Sequence, residues 1–506
     1  MERNDYLIKK KIYKYMVTGV MTTVALQLGN VVDAMIVGNL IGIHGTAAIT
    51  DGTPYVYILQ AAAILLGSGG AVAMAILLGR RNTEDAGRVM GFCILFSVLY
   101  PLIFTCLFPV LVPSFVRATG AAGQLAGMVR DMTTVYSIGM PILSFSIVMA
   151  YLMNIDNNPG LAAQMHIAAN LLNLILDYLL VRFTPLGIKG AALSTILGYL
   201  LADLYYIPKY MRSRNRMVKP VFKNCFRKDL TGLIARRGFP NLAILVLTVI
   251  SVSVINKSVM RAFGDGHFSA YAVINSTQLI VQMILNGVSS VIASVAGVLY
   301  GEKDYYGMRH VVSKVLRTAL LVGAVITVVF LAVPQLLGIL YGFHDEALAP
   351  VLYTGLRIFS LSFSFFILNA IAQNYYRTIG QTFLSTLSSA MVLVILKIPL
   401  TLSFLSAFGF TGLFVGAIIS ELLSFLLLNL VRILLQKAGK VPQKGFMAIP
   451  DHMSGEICDF TVTGTDENAV NVSDRIIEYL KKDDIPTDRC NALGIAAEEL
   501  INNIGR

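Results

Sequence analysis

Polar side chains that could exchange a proton or bind a cation recur at helical spacing within one apolar stretch. His166, Asn170, Asn173 and Asp177 stand at i, i+4, i+7 and i+11, which places them on one face of a helix. Ionisable side chains in apolar helices usually face a bundle interior and mark an ion or substrate pathway. The stripe predicts a polar site in this helix, with His166 at one end as a cap residue or a proton relay.

A second polar face lies in the first apolar stretch of the chain. Thr23, Gln27 and Asn30 share this face, and Asp33 follows one turn later. A carboxylate held in a low-dielectric bundle can bind and release protons. Asp33 and Asp177 are therefore candidates for coupling proton movement to a conformational change, and the alternative for each is a hydrogen-bonded structural carboxylate.

Amide side chains form a third set of polar residues within apolar stretches. They either line a solute pathway or join neighbouring helices through hydrogen bonds of about 0.6–2 kcal/mol, and the sequence leaves both roles open. The candidates for a substrate cleft are Gln27, Asn30, Gln60, Asn170, Asn275, Gln278, Gln282, Asn369 and Gln373. Lys257, Lys397 and Glu421 are charged residues in the same setting, where they could pair with one another or reach the membrane interface.

The elements that position these residues are predicted from composition. The chain has 506 residues, of which 56% are hydrophobic and 14% charged, and its mean hydropathy is +0.70. About twelve apolar runs reach the roughly 20 residues that a helix needs to cross a bilayer. We therefore predict an all-α polytopic membrane protein with twelve transmembrane helices.

The formal net charge of +11 is distributed unevenly along the chain. Lysine and arginine cluster in alternate loops, most densely in residues 209–237, while the loops between are almost free of them. This is the positive-inside pattern, which predicts a multi-pass protein of the cell membrane with both termini in the cytoplasm. It also favours lipid headgroups over nucleic acid as the partner of the basic residues. The five cysteines have neither disulfide nor metal-ligand spacing, so no metal site is expected.

The two halves of the apolar region match each other at an offset of 222 residues. Gly42 aligns with Gly264 and Gly187 with Gly409. Six spans in each half predict parallel repeats related by an axis along the membrane normal, with a solute cleft between them. The predicted organisation is an N-terminal six-helix lobe (1–210), a cytoplasmic linker (211–238), a C-terminal six-helix lobe (239–437) and a soluble C-terminal segment (446–506).

Several separated motifs resemble the multidrug and toxic compound extrusion (MATE) family, among them VVDAMIVGNLIGIHGTAAIT (31–50), NLLNLILDYLLV (170–181) and GFTGLFVGAIIS (409–420). The resemblance implies a V-shaped bundle and antiport of organic, often cationic solutes against H⁺ or Na⁺, with no other cofactor. The family's N-terminal polar network maps onto Asp33, Asn173, Asp177 and Thr195, with Asn154 as a weaker candidate. Asn256, Lys257 and Asn369 stand where other branches carry ion-binding carboxylates, so a C-terminal sodium site is not expected.

The C-terminal residues 460–506 are similar to the opening of a histidine-kinase-like (GHKL) ATPase domain, a short α/β fragment. The resemblance implies that Glu499 assists water activation and that Asn503 holds Mg²⁺ in a longer parent protein. The sequence reaches Arg506 without the glycine-containing boxes of that fold. We therefore expect no complete nucleotide site in this chain, and an antiporter instead of an enzyme.

Two other functions fit the same sequence features. A flippase for lipid-linked oligosaccharides of the same superfamily would need a large hydrophilic cavity, and a membrane sensor would signal through the C-terminal segment. Extrusion of small organic substrates by a monomer is the leading hypothesis.

Overall fold

The structure, a computed structural model, describes residues 6–301, 304–438, 466–481 and 486–505, which form helices without any strand. The first half of the membrane region contains α1 (Tyr6–Leu40), α2 (Ile43–Gly79), α3 (Thr83–Thr119), α4 (Gly123–Ile155), α5 (Pro159–Phe183) and α6 (Ile188–Met211). The second half contains α7 (Lys228–Val291), α8 (Gly297–Gly301), α9 (Tyr305–Ala332), α10 (Pro334–Leu340), α11 (Ala349–Ser360), α12 (Phe363–Thr378), α13 (Thr382–Ala390) and α14 (Lys397–Lys437). The prediction of an all-helical membrane region is confirmed.

Length and composition identify eight of the described helices as able to cross a membrane, or nine if the bent pair α11 and α12 counts as one span. The axes of α11 and α12 differ by 45°. Single π-helical turns at Ile292–Ala296 and Met391–Ile395 interrupt two other helices. The second half is therefore less regular than the first.

Glycines with positive φ divide α7 and α14 into two arms each. Gly264 has φ 71° and Gly409 has φ 68°, values that a side chain would disfavour. In the first half, Gly42 (φ 97°) and Gly187 (φ 51°) occupy the corresponding turns before α2 and α6. The backbone thus turns in the same way at both pairs of positions that the sequence offset connects.

The non-helical connection between the halves, residues 212–227, is fixed to the end of α4. Asp156 is fully buried, and its Oδ1 accepts hydrogen bonds from the backbone amides of Met217 and Val218, both at 2.8 Å. The Tyr210 hydroxyl donates to the other oxygen of Asp156 at 2.5 Å. The segment predicted as a linker, 211–238, therefore has an anchored beginning, and its last part forms the start of α7.

Helices α2 and α7 join the two halves through a close backbone contact. A methyl group added at Gly69 would collide with the Ile234 carbonyl, and one added at Gly238 would collide with the Leu65 carbonyl. These reciprocal contacts let the two helices approach more closely than larger residues would allow. Residues of α2 and α7 also share one hydrophobic core.

The C-terminal segment contributes α15 (Asp466–Lys481) and α16 (Thr487–Gly505), which pack against each other. Both candidate nucleotide residues lie in α16, and the Glu499 side chain is exposed. The residues ahead of these helices, where the predicted α/β fragment begins, fall outside the described part of the chain. The α/β character of this segment therefore stays a prediction.

Candidate functional site

Two acidic side chains meet inside the first half of the bundle. Asp33 of α1 and Asp177 of α5 interact directly, and Asp177 is fully buried. One oxygen of each carboxylate is buried without a hydrogen-bond donor. Two acceptor groups therefore lie together, and among the described residues no cation neutralises their charge.

A polar network on α5 and α6 surrounds this carboxylate pair. The Asn173 amide nitrogen donates to the hydroxyl oxygens of Ser194 and Thr195, both at 3.1 Å. Tyr136 of α4 lies at hydrogen-bond distance, 3.5 Å, from the Thr195 hydroxyl. The Ser194 hydroxyl lies 2.7 Å from the Ala191 carbonyl and 3.4 Å from Asp177 Oδ1, so its single hydrogen can serve one of them at a time.

Small residues bring these helices close enough for the contacts to form. Gly198 of α6 packs against the backbone of Asn173, where an added methyl group would lie 2.8 Å from its nitrogen. Gly29 of α1 faces Asn170 of α5 in the same way, with 3.0 Å between the added methyl position and the Asn170 amide oxygen. Glycine at both positions thus allows α1, α5 and α6 to converge on the carboxylates.

This arrangement suits the binding of one positive charge. Two ionised carboxylates in a low-dielectric interior repel each other, and a proton or small cation between them removes that repulsion. The hydroxyl and amide groups around the pair can reorient to serve either protonation state. Among the described residues there is no group of three or more His, Cys, Asp or Glu side chains that could hold a metal ion.

The structure brings together Asp33, Asn173, Asp177 and Thr195 of the residues predicted from the sequence. The Asn154 side chain is instead exposed and donates to the Ala150 carbonyl one turn earlier, at 2.9 Å. His166 lies beside Tyr199, with 6.1 Å between the ring centroids.

Sequence reasoning missed several polar members of the first half. Ser194 and Tyr136 complete the network, and Asp203 of α6 accepts a hydrogen bond from Ser146 at 2.9 Å. Serine and tyrosine are common in membrane helices, and only the position of Ser194 beside Thr195 signals its role. Asp203, eight residues after Thr195, lies on the same side of α6 and was open to the same periodicity argument.

A separate polar cluster occupies the second half. The Asn369 amide of α12 donates to the Glu421 carboxylate of α14 at 2.7 Å and to its backbone carbonyl at 2.9 Å. Glu421 also experiences the positive charge of Lys397. Gln278, Gln282, Lys397 and Glu421 line one small cavity, which brings two of the predicted cleft amides together with the charged pair.

The other cleft candidates are distributed along the bundle. Gln27, Gln60, Asn275 and Gln373 have half-buried side chains and form no single cluster in the described contacts. Asn30 lies in α1, but its side chain falls outside the described part of the structure.

Comparisons with known structures agree with this helical arrangement. The fold is similar to that of a MATE family multidrug resistance transporter of the MOP superfamily in its inward-facing conformation, with a TM-score of 0.71, 18% identity, and coverage of 83% of this chain and 99% of that one. It is also similar to the structure of the MATE multidrug transporter DinF-BH, with a TM-score of 0.69, 21% identity, and coverage of 87% of this chain and 98% of that one.

Sequence comparisons extend over most of the membrane region. The chain is 23% identical over 408 residues to the multidrug export protein MepA of Staphylococcus saprophyticus, covering 78% of this chain and 86% of that protein. It is 22% identical over 423 residues to the probable multidrug resistance protein NorM of Caulobacter vibrioides, covering 81% and 88%. The MatE family model matches residues 20–179 and 241–402, well over half of the sequence. The chain therefore belongs to the MatE family.

Proposed function

We propose that this chain is a secondary active transporter that exports small organic, often cationic solutes in exchange for protons. The observation that carries the proposal is the Asp33–Asp177 pair, whose unpartnered oxygens can accept one proton between two helices of the first half. Two relatives are named as a multidrug export protein and a probable multidrug resistance protein, which supports this substrate class. Either a proton or a sodium ion could supply the one positive charge that the pair needs, and we propose the proton because it requires only the two carboxylates.

The proposal includes twelve membrane spans in two parallel repeats. Helices α1 to α6 are the first six spans. In the second half, α7 supplies two spans, one on either side of Gly264. Helix α9 supplies one span, and the bent pair α11 and α12 supplies another. The last two come from α13 with α14 on either side of Gly409. Matching glycine turns in the two halves support the repeat, because a duplication would place the same backbone device at equivalent positions.

The basic connections of the chain would face the cytoplasm, including residues 80–88 and 209–237. In that orientation both membrane-region termini are cytoplasmic, and the turns at Gly42, Gly264 and Gly409 form the outer end. We propose a monomer in the cell membrane with lipids as its surroundings and no nucleic acid partner.

Alternating access is the mechanism that we propose for export. At the outer end the Asn39 amide donates to the Leu340 carbonyl at 2.8 Å, and Gly38 packs against Tyr341. These contacts join the first half to the second and would close the outer side of the cleft. Exchange with a state in which they separate would expose a bound solute to the outside.

The experiment is transport of an ethidium-like fluorescent cation in proteoliposomes under an imposed pH gradient. The variants Asp33→Asn and Asp177→Asn remove one carboxylate each while keeping side-chain size, and Glu346→Gln at an exposed outer position is the matched control. We expect the gradient to drive dye movement in the unmodified chain and in the control, and both site variants to lose it. A sodium gradient is applied separately to the same vesicles.

The outcomes separate the alternatives. Dye movement that follows only the sodium gradient would show that sodium, and not the proton, is the coupling ion. Transport that neither gradient drives, or that both site variants retain, would contradict the proposed coupling and favour a flippase or sensor role.

For the C-terminal segment we propose a GHKL-like role in nucleotide binding. The exposed Glu499 on α16 supports this, since a catalytic carboxylate must reach a solvent-accessible nucleotide. Titration of this chain with a fluorescent ATP analogue tests whether the segment as it stands is sufficient for binding.

A further inference from the structure

A third acidic side chain is buried away from the Asp33–Asp177 pair. Asp51 of α2 is only 1% exposed, and neither of its carboxylate oxygens has a hydrogen-bond partner. Most buried carboxylates are paired with cations or accept several hydrogen bonds, because an unpaired buried charge is strongly unfavourable. Asp51 is therefore the least compensated carboxylate of the described bundle, since the other buried ones each keep a partner on at least one oxygen or face a second carboxyl group.

Two polar side chains lie beside Asp51 or the residue before it, one from each half. Thr119 of α3 lies beside it, and its single hydroxyl hydrogen can serve either the Val116 carbonyl, at 3.0 Å, or Asp51. Asn256 of α7 uses its amide nitrogen to donate to the Thr50 carbonyl at 2.9 Å, and its own amide oxygen is buried without a partner. Flipping this amide would place two oxygens against each other, so the orientation is fixed.

No positive charge compensates Asp51 among the neighbours that the structure describes. Met132 of α4 packs against the adjacent Gly52, and Asp265, at the start of the second arm of α7, is the charged residue whose field reaches Asp51. Its negative charge makes an ionised Asp51 still less favourable. A proton on Asp51 would remove this repulsion.

Asp51 lies where the two halves meet, so its protonation can depend on whether the halves are in contact. It lies on α2 of the first half, and Asn256 and Asp265 belong to α7 of the second. The Asn39 contact with Leu340 lies at the same outer end. Part of the surroundings of Asp51 is therefore supplied by the second half and would separate from it when the outer ends open.

We propose that Asp51 is a proton-binding site of the outer gate, which takes up a proton from the external side when the gate closes and returns it when the gate opens. This site is distinct from the Asp33–Asp177 pair, and it moves no net proton across the membrane. The inference rests on the alternating access of the proposed function, but not on its substrate or on its coupling ion. Higher external pH should favour the open gate, because closing then requires a proton that is scarcer.

The test measures the outer distance between the halves without any substrate. Spin labels on Leu186→Cys and Phe408→Cys, in a background without native cysteines, report on the gate by double electron–electron resonance in nanodiscs. These positions are 36% and 66% exposed and precede the matching turns at Gly187 and Gly409. The background also carries Asp33→Asn and Asp177→Asn, which removes the contribution of the other carboxylates. Spectra are collected from pH 5 to pH 9.

With Asp51 present, the ratio of closed to open populations should fall by up to about tenfold per pH unit, the slope for one linked proton. Asp51→Asn should remove this slope and keep the gate closed at every pH, and Glu346→Gln should behave like the background. If Asp51→Asn does not give a monodisperse protein, Asp51→Ser serves as the neutral variant.

A slope that persists in Asp51→Asn or Asp51→Ser would overturn the proposal. So would closing that follows sodium concentration at constant pH, since Asp51 would then bind a metal cation. Because no dye is present, a failure of drug transport in the earlier experiment leaves this result unaffected.

Discussion

At the scale of single residues, the buried carboxylates of the two halves differ in their partners. Glu421 accepts a hydrogen bond from Asn369 and lies in the field of Lys397. Asp33 and Asp177 share no comparable cation in the described contacts and each keep one oxygen without a donor. The carboxylates of the first half thus depend on a proton or cation from outside the described side chains, whereas Glu421 has a hydrogen-bond donor and a nearby cation of its own half.

Asn173 is the amide on which the first-half network depends. In Asn173→Ala the hydroxyls of Ser194 and Thr195 lose their shared donor, so they can turn away from the carboxylate pair. We expect pH-driven dye transport to fall at least about tenfold while the free energy of unfolding falls by only roughly 1 kcal/mol, the usual scale for a hydrogen bond between membrane helices. Transport in proteoliposomes and thermal melting in detergent measure the two effects.

Asn154→Ala is the matched control for this substitution. Asn154 is exposed and bonds only to the carbonyl of its own helix in the described contacts, so its loss should leave both quantities nearly unchanged. Equal losses of transport in the two variants would contradict the placement of the site.

At the scale of elements, the glycine turns decide where long helices are divided. Gly264 has φ 71° and no other atom within 4 Å of the position of an added methyl group, so alanine there meets open space but a strained backbone. We expect Gly264→Ala to lower the free energy of unfolding by about 1–2 kcal/mol, measured by thermal or denaturant unfolding in detergent.

Gly323 in α9 provides the control for this prediction. It also has open space around it, but its φ is not positive. Gly323→Ala should therefore be neutral or stabilising by up to about 1 kcal/mol, as expected for helix propensity alone. Destabilisation of the same size in both variants would mean that the positive φ is not the cause.

The helices themselves could be predicted from the sequence because apolar runs of sufficient length have few alternatives in a membrane. The break at Gly264 was less accessible, since a glycine between two apolar stretches fits a loop as well as a turn inside a nearly continuous helix. The offset between the halves pointed to the corresponding positions. It did not predict the π-helical turns at Ile292–Ala296 and Met391–Ile395, which have no sequence signal of their own.

The candidate site was partly predictable for a related reason. Periodicity placed Asn173 and Asp177 on one face of α5, but it does not show which face of another helix meets them. Ser194 and the burial of Asp51 depend on packing between helices that are distant in sequence. Asp51 stands near the start of an apolar run, where sequence alone suggests a solvated helix end.

At the scale of the whole molecule, the connection between the halves is anchored at the proposed cytoplasmic end of the bundle. The Asn39–Leu340 contact between the halves lies at the outer end. Asp156 holds residues 217 and 218 against the first half, so the linker can move only as part of that half. Motion between the halves must then arise beyond residue 227, along α7 and its contact with α2. The reciprocal glycine contacts of Gly69 and Gly238 place a compact joint at that point.

Locking the outer ends together should stop the transport cycle. Asn39 and Leu340 belong to different halves and are in contact, so a short bifunctional thiol reagent should join Asn39→Cys to Leu340→Cys in a background without native cysteines. We expect cross-linking to abolish pH-driven dye transport and reduction to restore it, because an alternating-access cycle requires the two ends to separate.

The control pair is Asp131→Cys with Lys189→Cys, which replaces an ion pair of 3.3 Å within the first half. Cross-linking this pair should leave transport intact, since both residues move with the same half. Transport that continues at full rate through the cross-linked Asn39–Leu340 pair would mean that the solute leaves by a route that does not require the halves to part.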